Sequence, residues 1–434
     1  MIFIRAKDHL TAESLSTVKN KDIDCKAILT SVYQSDQFYK EISMSIFRRC
    51  DIMLPKDTEN IDKWAVLACD QFTSKPEYWE AVAEKVGDAP SALNLILPEV
   101  YLSGDYEKRV KEINENMKRY IKEDVFRTVK SSMIYVERTT HSGVRHGIVG
   151  EIDLSQYEYK PGSKARVRAT ERTVEERLPI RIEIRRGAPL EVPHILILIN
   201  DPTLSVIEPC TGEKERYESA YSFDLMLGGG HIDGYIMSEE AIARVESTLE
   251  RLCEENDFVF AVGDGNHSLA AAKNSGSKTA LCEIVNIYDP SLVFEPIYRV
   301  LFGMPAEYVL SKAEEFFGTL SYSGDSAQKV IFAHKENRRV LSLPPVKASA
   351  VSTVTAFIDK YLSEHSDSAV DYIHGEDEAI RLAGEENACA FLFDVISKNE
   401  LFDAVEKDGV LVRKAFSMGD AEDKRYYIEA KIIK

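Results

Sequence analysis

Near the middle of the chain stands Val262-Gly263-Asp264-Gly265-Asn266-His267-Ser268-Leu269-Ala270, or VGDGNHSLA. The run leading into it, Phe258-Val259-Phe260-Ala261-Val262, is short and wholly apolar, which predicts a buried strand. Gly263 to Asn266 predict a sharp turn, and Ser268 to Lys273 predict a helix start. Strand, glycine turn and helix together present the first N–H groups of the helix to an anion. The turn also carries an acid, an amide, an imidazole and a hydroxyl, so the expected ligand bears a phosphate. On that reading Gly265, Asn266 and Ser268 bind phosphate. Asp264 is then a general base or magnesium ligand, and His267 donates to the phosphate or shuttles a proton. The other reading is an Asx-turn and helix cap, with Asp264 and Asn266 satisfying nearby N–H groups.

A chain of 434 residues can bury a large core and is expected to form two or three subdomains. Its hydrophobic content of 44% and charged content of 29% are those of a soluble globular protein. No run of about 18 apolar residues occurs, so no membrane span is expected. The opening MIFIRAKDHL has no long apolar stretch and does not read as a secretory signal. Seven cysteines are scattered without a C-x-x-C pair, which fits reduced thiols in a cytoplasm better than disulfides or a zinc site. The net charge of −18 opposes nucleic-acid binding, and the two basic stretches, 164–172 and 181–186, are short and interrupted by acids. The expected partner is a small molecule or nucleotide, with no nucleic acid and no membrane.

Residues 1–43 are polar and weakly periodic, and read as an upstream extension that packs poorly. Residues 44–434 read as one domain with subdomains near 44–130, 131–305 and 306–434. Strands are expected at Ala65–Cys69, Met133–Arg138, Gly147–Leu154, Ile180–Ile184, His194–Ile199 and Leu204–Ile207. A helix with Pro76 in its first turn should turn Trp79, Val82, Ala83 and Val86 to one face, and another runs from Tyr106 to Glu123. Ser238 should cap a helix reaching Glu255. Strands are also expected at Ala280–Ile287 and Ile297–Leu301, after which helices and strands alternate to a last strand at Tyr426–Ala430. The fold class is α/β (α+β): a mixed, largely antiparallel sheet with flanking helices.

Other residues suited to chemistry lie apart in the sequence. Arg166, Arg168, Glu171, Arg172 and Thr173 fall in ARVRATERT. Arginines two apart on a strand share a side and can fork a phosphate or carboxylate, with Glu171 as base or metal ligand. The alternative is a charged strand edge facing water. Gly229, Gly230 and His231 fall in LGGGHIDG, where the glycines form a tight loop or let backbone approach a ligand. Asp70 and Gln71 end an apolar strand, a usual place for α/β ligand sites, or else cap the next helix. Arg299 is a charge inside apolar EPIYRV, facing either an anionic site or solvent, and Lys414 in VRKAFSM is similar. His141, Arg145 and His146 are expected on the surface of a hairpin. The remaining histidines lack metal-ligand spacing. A Walker A loop, a kinase H-R-D and a G-x-S-x-G elbow are all absent.

CDQF (69–72), RATERT (168–173), GGGHIDG (228–234), GDGNHSLAAAK (263–273), FEPIYRV (294–300), DYIHGEDEA (371–379) and RKAFSMG (413–419) occur in that order. Together they resemble the uncharacterised bacterial and archaeal family called domain of unknown function 1015, from about Met44 onward. The chain is similar to the branch reading D-G-N-H-S where most of that family reads D-G-H-H-R, and it has Tyr298 where the family usually has His. The D-G-H-H-R turn is itself similar to the phosphate-binding turn of the partition-protein-B/sulfiredoxin superfamily, which includes archaeal free-serine kinases. That resemblance implies a nucleotide, ATP or ADP, held at the turn with magnesium on Asp264 or Glu171. It also implies phosphoryl transfer to a small hydroxylated compound such as serine. Ser268 stands where the common turn has Arg, so Arg168 or Arg299 is expected to supply the cation. Glu171 would deprotonate the acceptor. A non-catalytic nucleotide or phosphometabolite sensor with the same pocket is the other function these residues allow.

Overall fold

Ile134–Thr140 and Gly143–Asp153, both rich in β-branched residues, pair as an antiparallel hairpin, as the sequence predicts. A computed structural model describes residues 45–102, 105–320, 328–343, 349–412 and 414–433; the expected extension at 1–43 lies outside the described residues. Around the hairpin grows a ten-stranded sheet. Its path runs Glu218–Asp224, His231–Ile236, Ile134–Thr140, Gly143–Asp153, Thr279–Asn286, Leu196–Ile199, Phe260–Asp264, Val167–Ala169, Tyr157–Glu158. Three of the pairings are parallel, among them Leu196–Ile199 with Thr279–Asn286 and Phe260–Asp264 with Val167–Ala169. The rest are antiparallel, so the sheet is mixed and largely antiparallel as expected.

The fully apolar Leu196–Ile199 strand lies inside this sheet, where both of its faces are buried. Val245 and Leu249 of the Glu239–Glu255 helix and Leu269 and Ala270 of the Asn266–Asn274 helix join one core with Ile197, Phe260 and Val262. A second core gathers Trp64, Trp79, Ile113, Met117 and Tyr120 with Ile134, Val149 and Leu281. The chain then builds a separate six-stranded sheet, beginning at Phe294–Phe302 and ending at Phe416–Met418. Its Phe332 and Phe391 pack with Val309 and Phe317 of one helix and Val354 and Phe357 of another. Among the described residues no helix is long and apolar enough to cross a membrane.

Several sequence expectations need correction. Ile180–Ile184 lies within a helix, Leu178–Gly187, because Pro179 in its first turn starts a helix and Ile180 and Ile184 fall on one face. Leu204–Ile207 forms no strand and leads into the helix Glu208–Glu213. The strand expected at Ala65–Cys69 shrinks to Val66–Leu67, and that at Tyr426–Ala430 shrinks to Tyr426–Tyr427, which pairs with it. Ala83 faces solvent while Trp79, Val82 and Val86 are buried. Arg145 is buried and donates to the Asp423 carbonyl at 2.8 Å.

After Met418 the chain returns to the large sheet. Arg425, fully enclosed, donates to Glu283 at 2.8 Å, to Glu429 at 2.6 Å and to the Pro193 carbonyl at 2.6 Å. Removing one member leaves the others buried and uncompensated. Arg425→Ala is therefore expected to lower unfolding free energy by about 3–5 kcal/mol, measured by urea denaturation. A loss within about 1 kcal/mol would show that the network is not what holds this segment.

Candidate active site around the Gly265 turn

The strand, turn and helix predicted for VGDGNHSLA form as Phe260–Asp264, Gly265 and Asn266–Asn274. Gly265 adopts φ 79°, and a Cβ there would lie 3.0 Å from the Ile195 Cα, so the turn needs glycine for both reasons. The first intrahelical bond runs from Leu269 N–H to the Gly265 carbonyl, so the N–H groups of Asn266, His267 and Ser268 precede the helical ladder. Asp264 uses one carboxylate oxygen to accept Gly265 N–H at 2.9 Å. Its other oxygen, Oδ2, is buried without a protein partner, as is Asn266 Oδ1. The local Asx-turn thus accounts for only one oxygen of Asp264.

Three further segments meet the turn. Val167–Ala169 runs parallel to Phe260–Asp264, and Thr170 continues the contact by donating to the Val262 carbonyl at 2.7 Å. This register carries Glu171 to Asp264. Next, Leu196 is paired with Asp264, which brings His194 and Ile195 to the turn. Finally, Val66–Leu67 pairs with Tyr426–Tyr427 and delivers Asp70 beside Lys424. Tyr427 closes the ring, its hydroxyl lying 2.7 Å from His194 Nδ1 and accepting Cys69 N–H at 3.3 Å.

The carboxylates are electrostatically distinct. Burial pushes Glu171 up to about 7, against the pull of N–H donation from Lys414 and Ala415 and of the Lys424 charge; nearby Asp264 adds to the rise. Asp264 is also raised, chiefly by burial and then by Asp70, with Lys424 and His194 acting in opposition. Burial acts the same way on Asp70, but His194, the Gln71 amide at 3.0 Å and Lys424 outweigh it and hold Asp70 low. Burial thus raises Glu171 and Asp264 together, while Asp70 beside them is held low.

His267 Nε2 accepts Val174 N–H at 3.1 Å, so that nitrogen carries no proton and fixes the 171–174 segment instead. Thr173 is buried with its hydroxyl lacking a protein partner, while Arg172 is exposed. Ser268 lies on the wall of a cleft described below. Arg168 does not reach the turn: it stacks on Phe258 at 4.2 Å and donates to the Ala165 carbonyl at 2.7 Å. Arg299 is fully buried between Tyr372 and Phe393, 4.9 and 5.4 Å from their ring centres, and donates to the Ile297 carbonyl. Burial lowers it to about 10, and Glu171 is among the groups offsetting that fall.

Gly229, Gly230 and His231 stand apart from the turn, with four strands between His231–Ile236 and Phe260–Asp264. Packing explains those glycines. A Cβ on Gly230 would lie 2.1 Å from the Thr139 carbonyl oxygen, and one on Gly229 would lie 2.4 Å from the Tyr426 hydroxyl. His231 sits 2.7 Å from Asp224 at the end of its hairpin. The loop's link to the site is Arg138, which donates to the carbonyls of Gly229, Glu422 and Lys424.

Sequence reading passed over Lys424 and His194. Neither lies in a motif, and only the tail's return and the Leu196 register bring them in. It also passed over a cleft of about 130 Å³ beside the turn helix. Ser268 and Ala271 line it with His194, Leu97, Ile180 and Ile184. Its charged neighbours are paired with one another, Arg181 with Glu99 and Arg185 with Glu191, which leaves an apolar interior. Among the described residues the three-ligand group close enough for a metal is His141, Asp420 and Asp423.

The chain belongs to the family described as Protein of unknown function (DUF1015), which it matches over residues 51–361. Five of the seven ordered motifs fall inside that span, and DYIHGEDEA and RKAFSMG lie beyond it. No curated protein matches the chain. Among solved structures it is similar to a conserved hypothetical protein from Pyrococcus furiosus, at 13% identity over 63% of this chain and 96% of that one, TM-score 0.33. It is also similar to a free serine kinase in complex with AMP, at 13% identity over 64% of this chain and 90% of that one, TM-score 0.38. A third is SbnI with a C-terminal truncation from Staphylococcus aureus, at 12% identity over 62% and 82% of the two chains, TM-score 0.32.

A carboxyl raised from 4.5 to about 7 favours the folded state only while it keeps its proton. Its contribution is full below the unfolded pKa and is lost as pH climbs through the folded one. Glu171→Gln stays neutral, so it should gain stability over wild type between about pH 5 and about pH 8 in urea denaturation. A pH-independent difference would overturn the raised value.

Proposed function

We propose that this chain is a nucleotide-dependent phosphotransferase acting on a small hydroxylated metabolite. The observation that carries the reading is the meeting of Glu171 and Asp264 at the amide-rich start of the Asn266–Asn274 helix. The first is held near neutrality, and the second keeps a buried oxygen without a partner. ATP or ADP phosphates would lie against the N–H groups of Asn266, His267 and Ser268, with the Lys424 charge that already acts on Asp264 and Glu171 opposing theirs. The apolar cleft beyond Ser268 suits the flat, apolar body of a nucleobase.

Transfer needs positioning and charge neutralisation more than covalent help. Glu171 takes the proton of the acceptor hydroxyl, whose oxygen attacks the terminal phosphorus. The bond to the bridging oxygen breaks, and the nucleoside diphosphate leaves with the electron pair. Asp264 Oδ2 suits magnesium: it is a hard carboxylate oxygen with no competing donor, and a bound ion would neutralise phosphate charge there. Magnesium ordinarily takes only one or two carboxylates and completes its shell with phosphate and water, so Asp264 with the phosphates suffices to hold it.

One observation favours the sensor reading. Ser268 replaces the arginine of the common turn, and Arg168 and Arg299 are both packed against aromatic rings. The two readings separate in one experiment. ATP turnover over a panel of hydroxylated metabolites, with ADP-induced thermal stabilisation in parallel, should show both binding and consumption. Glu171→Gln should lower kcat by about 10²-fold or more and keep the ADP-induced stabilisation. Stabilisation without turnover on any acceptor would support the sensor.

A further inference from the structure

RKAFSMG bonds Glu171 through the N–H groups of Lys414 and Ala415, and DYIHGEDEA packs Tyr372 against the side chain of that lysine. Ala369–His374 is the strand paired beside Phe294–Phe302, with Tyr372 opposite Arg299 and His374 opposite Ile297. The Tyr372 ring receives two cations, Arg299 at 4.9 Å and Lys414 Nζ at 5.0 Å. Lys414 adopts φ 55°, a left-handed backbone that costs a non-glycine residue about 1–2 kcal/mol. It sits directly before Ala415, and the N–H groups of both residues donate to Glu171. Lys414 and Lys424 both act on His374, which burial and these two charges push below its ordinary value. The acids that reach His374 are Glu295 and Asp420. Glu171 is therefore shared: one side faces the turn helix of the large sheet, and the other faces a patch of nitrogen donors from the second sheet and the tail.

We infer that Lys414 and His374 bind a carboxylate of the hydroxylated acceptor, making the substrate a hydroxy acid. This rests on the reading above that the acceptor hydroxyl lies at Glu171. A group held there by its hydroxyl has the rest of its body within reach of Lys414 and His374. A monoanion suits the patch better than a second phosphate, which would set two charges beside Glu171 and Asp264. Arg299 is a fixed positive charge behind Tyr372 and not a ligand clamp, because its guanidinium is enclosed by aromatic rings and a carbonyl. The second sheet thereby supplies substrate selection, and the large sheet supplies the phosphate site.

Two phosphomonoesters that differ in one group test this on the full chain by isothermal titration. 3-Phosphoglycerate carries a carboxylate where glycerol 3-phosphate carries a hydroxymethyl. Wild type should bind the first about tenfold more tightly, the worth of one charge-assisted hydrogen bond. His374→Ala and Lys414→Gly, the latter suiting the left-handed backbone and keeping the N–H for Glu171, should each erase most of that preference. Both should leave ADP affinity unchanged. Equal binding of the two esters by wild type overturns the inference, even with ADP binding intact. So does a variant that keeps the preference, or one that weakens both esters equally. If ADP fails to bind wild type while the carboxylate preference appears and is lost in the variants, the nucleotide reading falls and the carboxylate site stands.

Discussion

Arg425 lies between Glu283 and Glu429 with almost no access to water, and that arrangement decides where the end of the chain runs. A buried guanidinium is tolerable only with its partners in place, so it acts as a register pin. Glu283 belongs to the Thr279–Asn286 strand in the middle of the large sheet, which keys the tail to the centre of the molecule. Arg138 and Arg145, also buried, grip the carbonyls of residues 422–424 from the neighbouring hairpin. Three enclosed arginines thus fix the backbone on both sides of Lys424. Lys424 is tied into that scaffold by its own carbonyl, which accepts from Arg138, and its ammonium donates to the Met418 carbonyl at 3.1 Å.

The consequence is electrostatic. Asp70, Asp264 and Glu171 approach one another across three segments, and like charges at such a site cannot all ionise freely. Lys424 acts on all three, but the outcomes differ because their other surroundings differ. Asp70 has an amide at its side and keeps its charge. Asp264 and Glu171 are drawn toward the protonated form by burial. A group that changes protonation near pH 7 can accept a proton during turnover and release it afterward, which a fully ionised carboxylate on the surface does poorly.

The sequence spoke clearly where periodicity was strong. The central hairpin, the Tyr106–Lys122 and Glu239–Glu255 helices and the glycine turn all fall close to where their patterns put them. It misled at LPIRIEI, where isoleucines alternate with charges as in a strand. There Pro179 and the packing of Ile180 and Ile184 against the first core settle a helix instead. Glu171 was joined to Asp264 only through the family resemblance, and it is the parallel register of Val167–Ala169 with Phe260–Asp264 that sets the two side by side. Lys424 was not legible, since its position depends on long-range pairing of Tyr426 with Leu67. Spaced arginines on a strand suggest Arg168 as a ligand cation, and a charge inside an apolar run suggests Arg299. Aromatic faces at Phe258, Tyr372 and Phe393 satisfy them instead.

The two readings of the Gly265 turn are less opposed than they look. A cap needs one acceptor, and Asp264 supplies it with Oδ1. Leaving Oδ2 and Asn266 Oδ1 buried without partners costs about 1–3 kcal/mol each, and a fold selected only for stability would have replaced them. Lys414 adds a second local cost in its left-handed backbone, at the place where it turns two N–H groups onto Glu171. Unsatisfied acceptors on one side of Glu171 and backbone strain on the other are compromises of the kind that proteins keep where a ligand must fit. Their meeting on one carboxylate, reached from both sheets, is the physical argument that this junction is a site and not merely a seam.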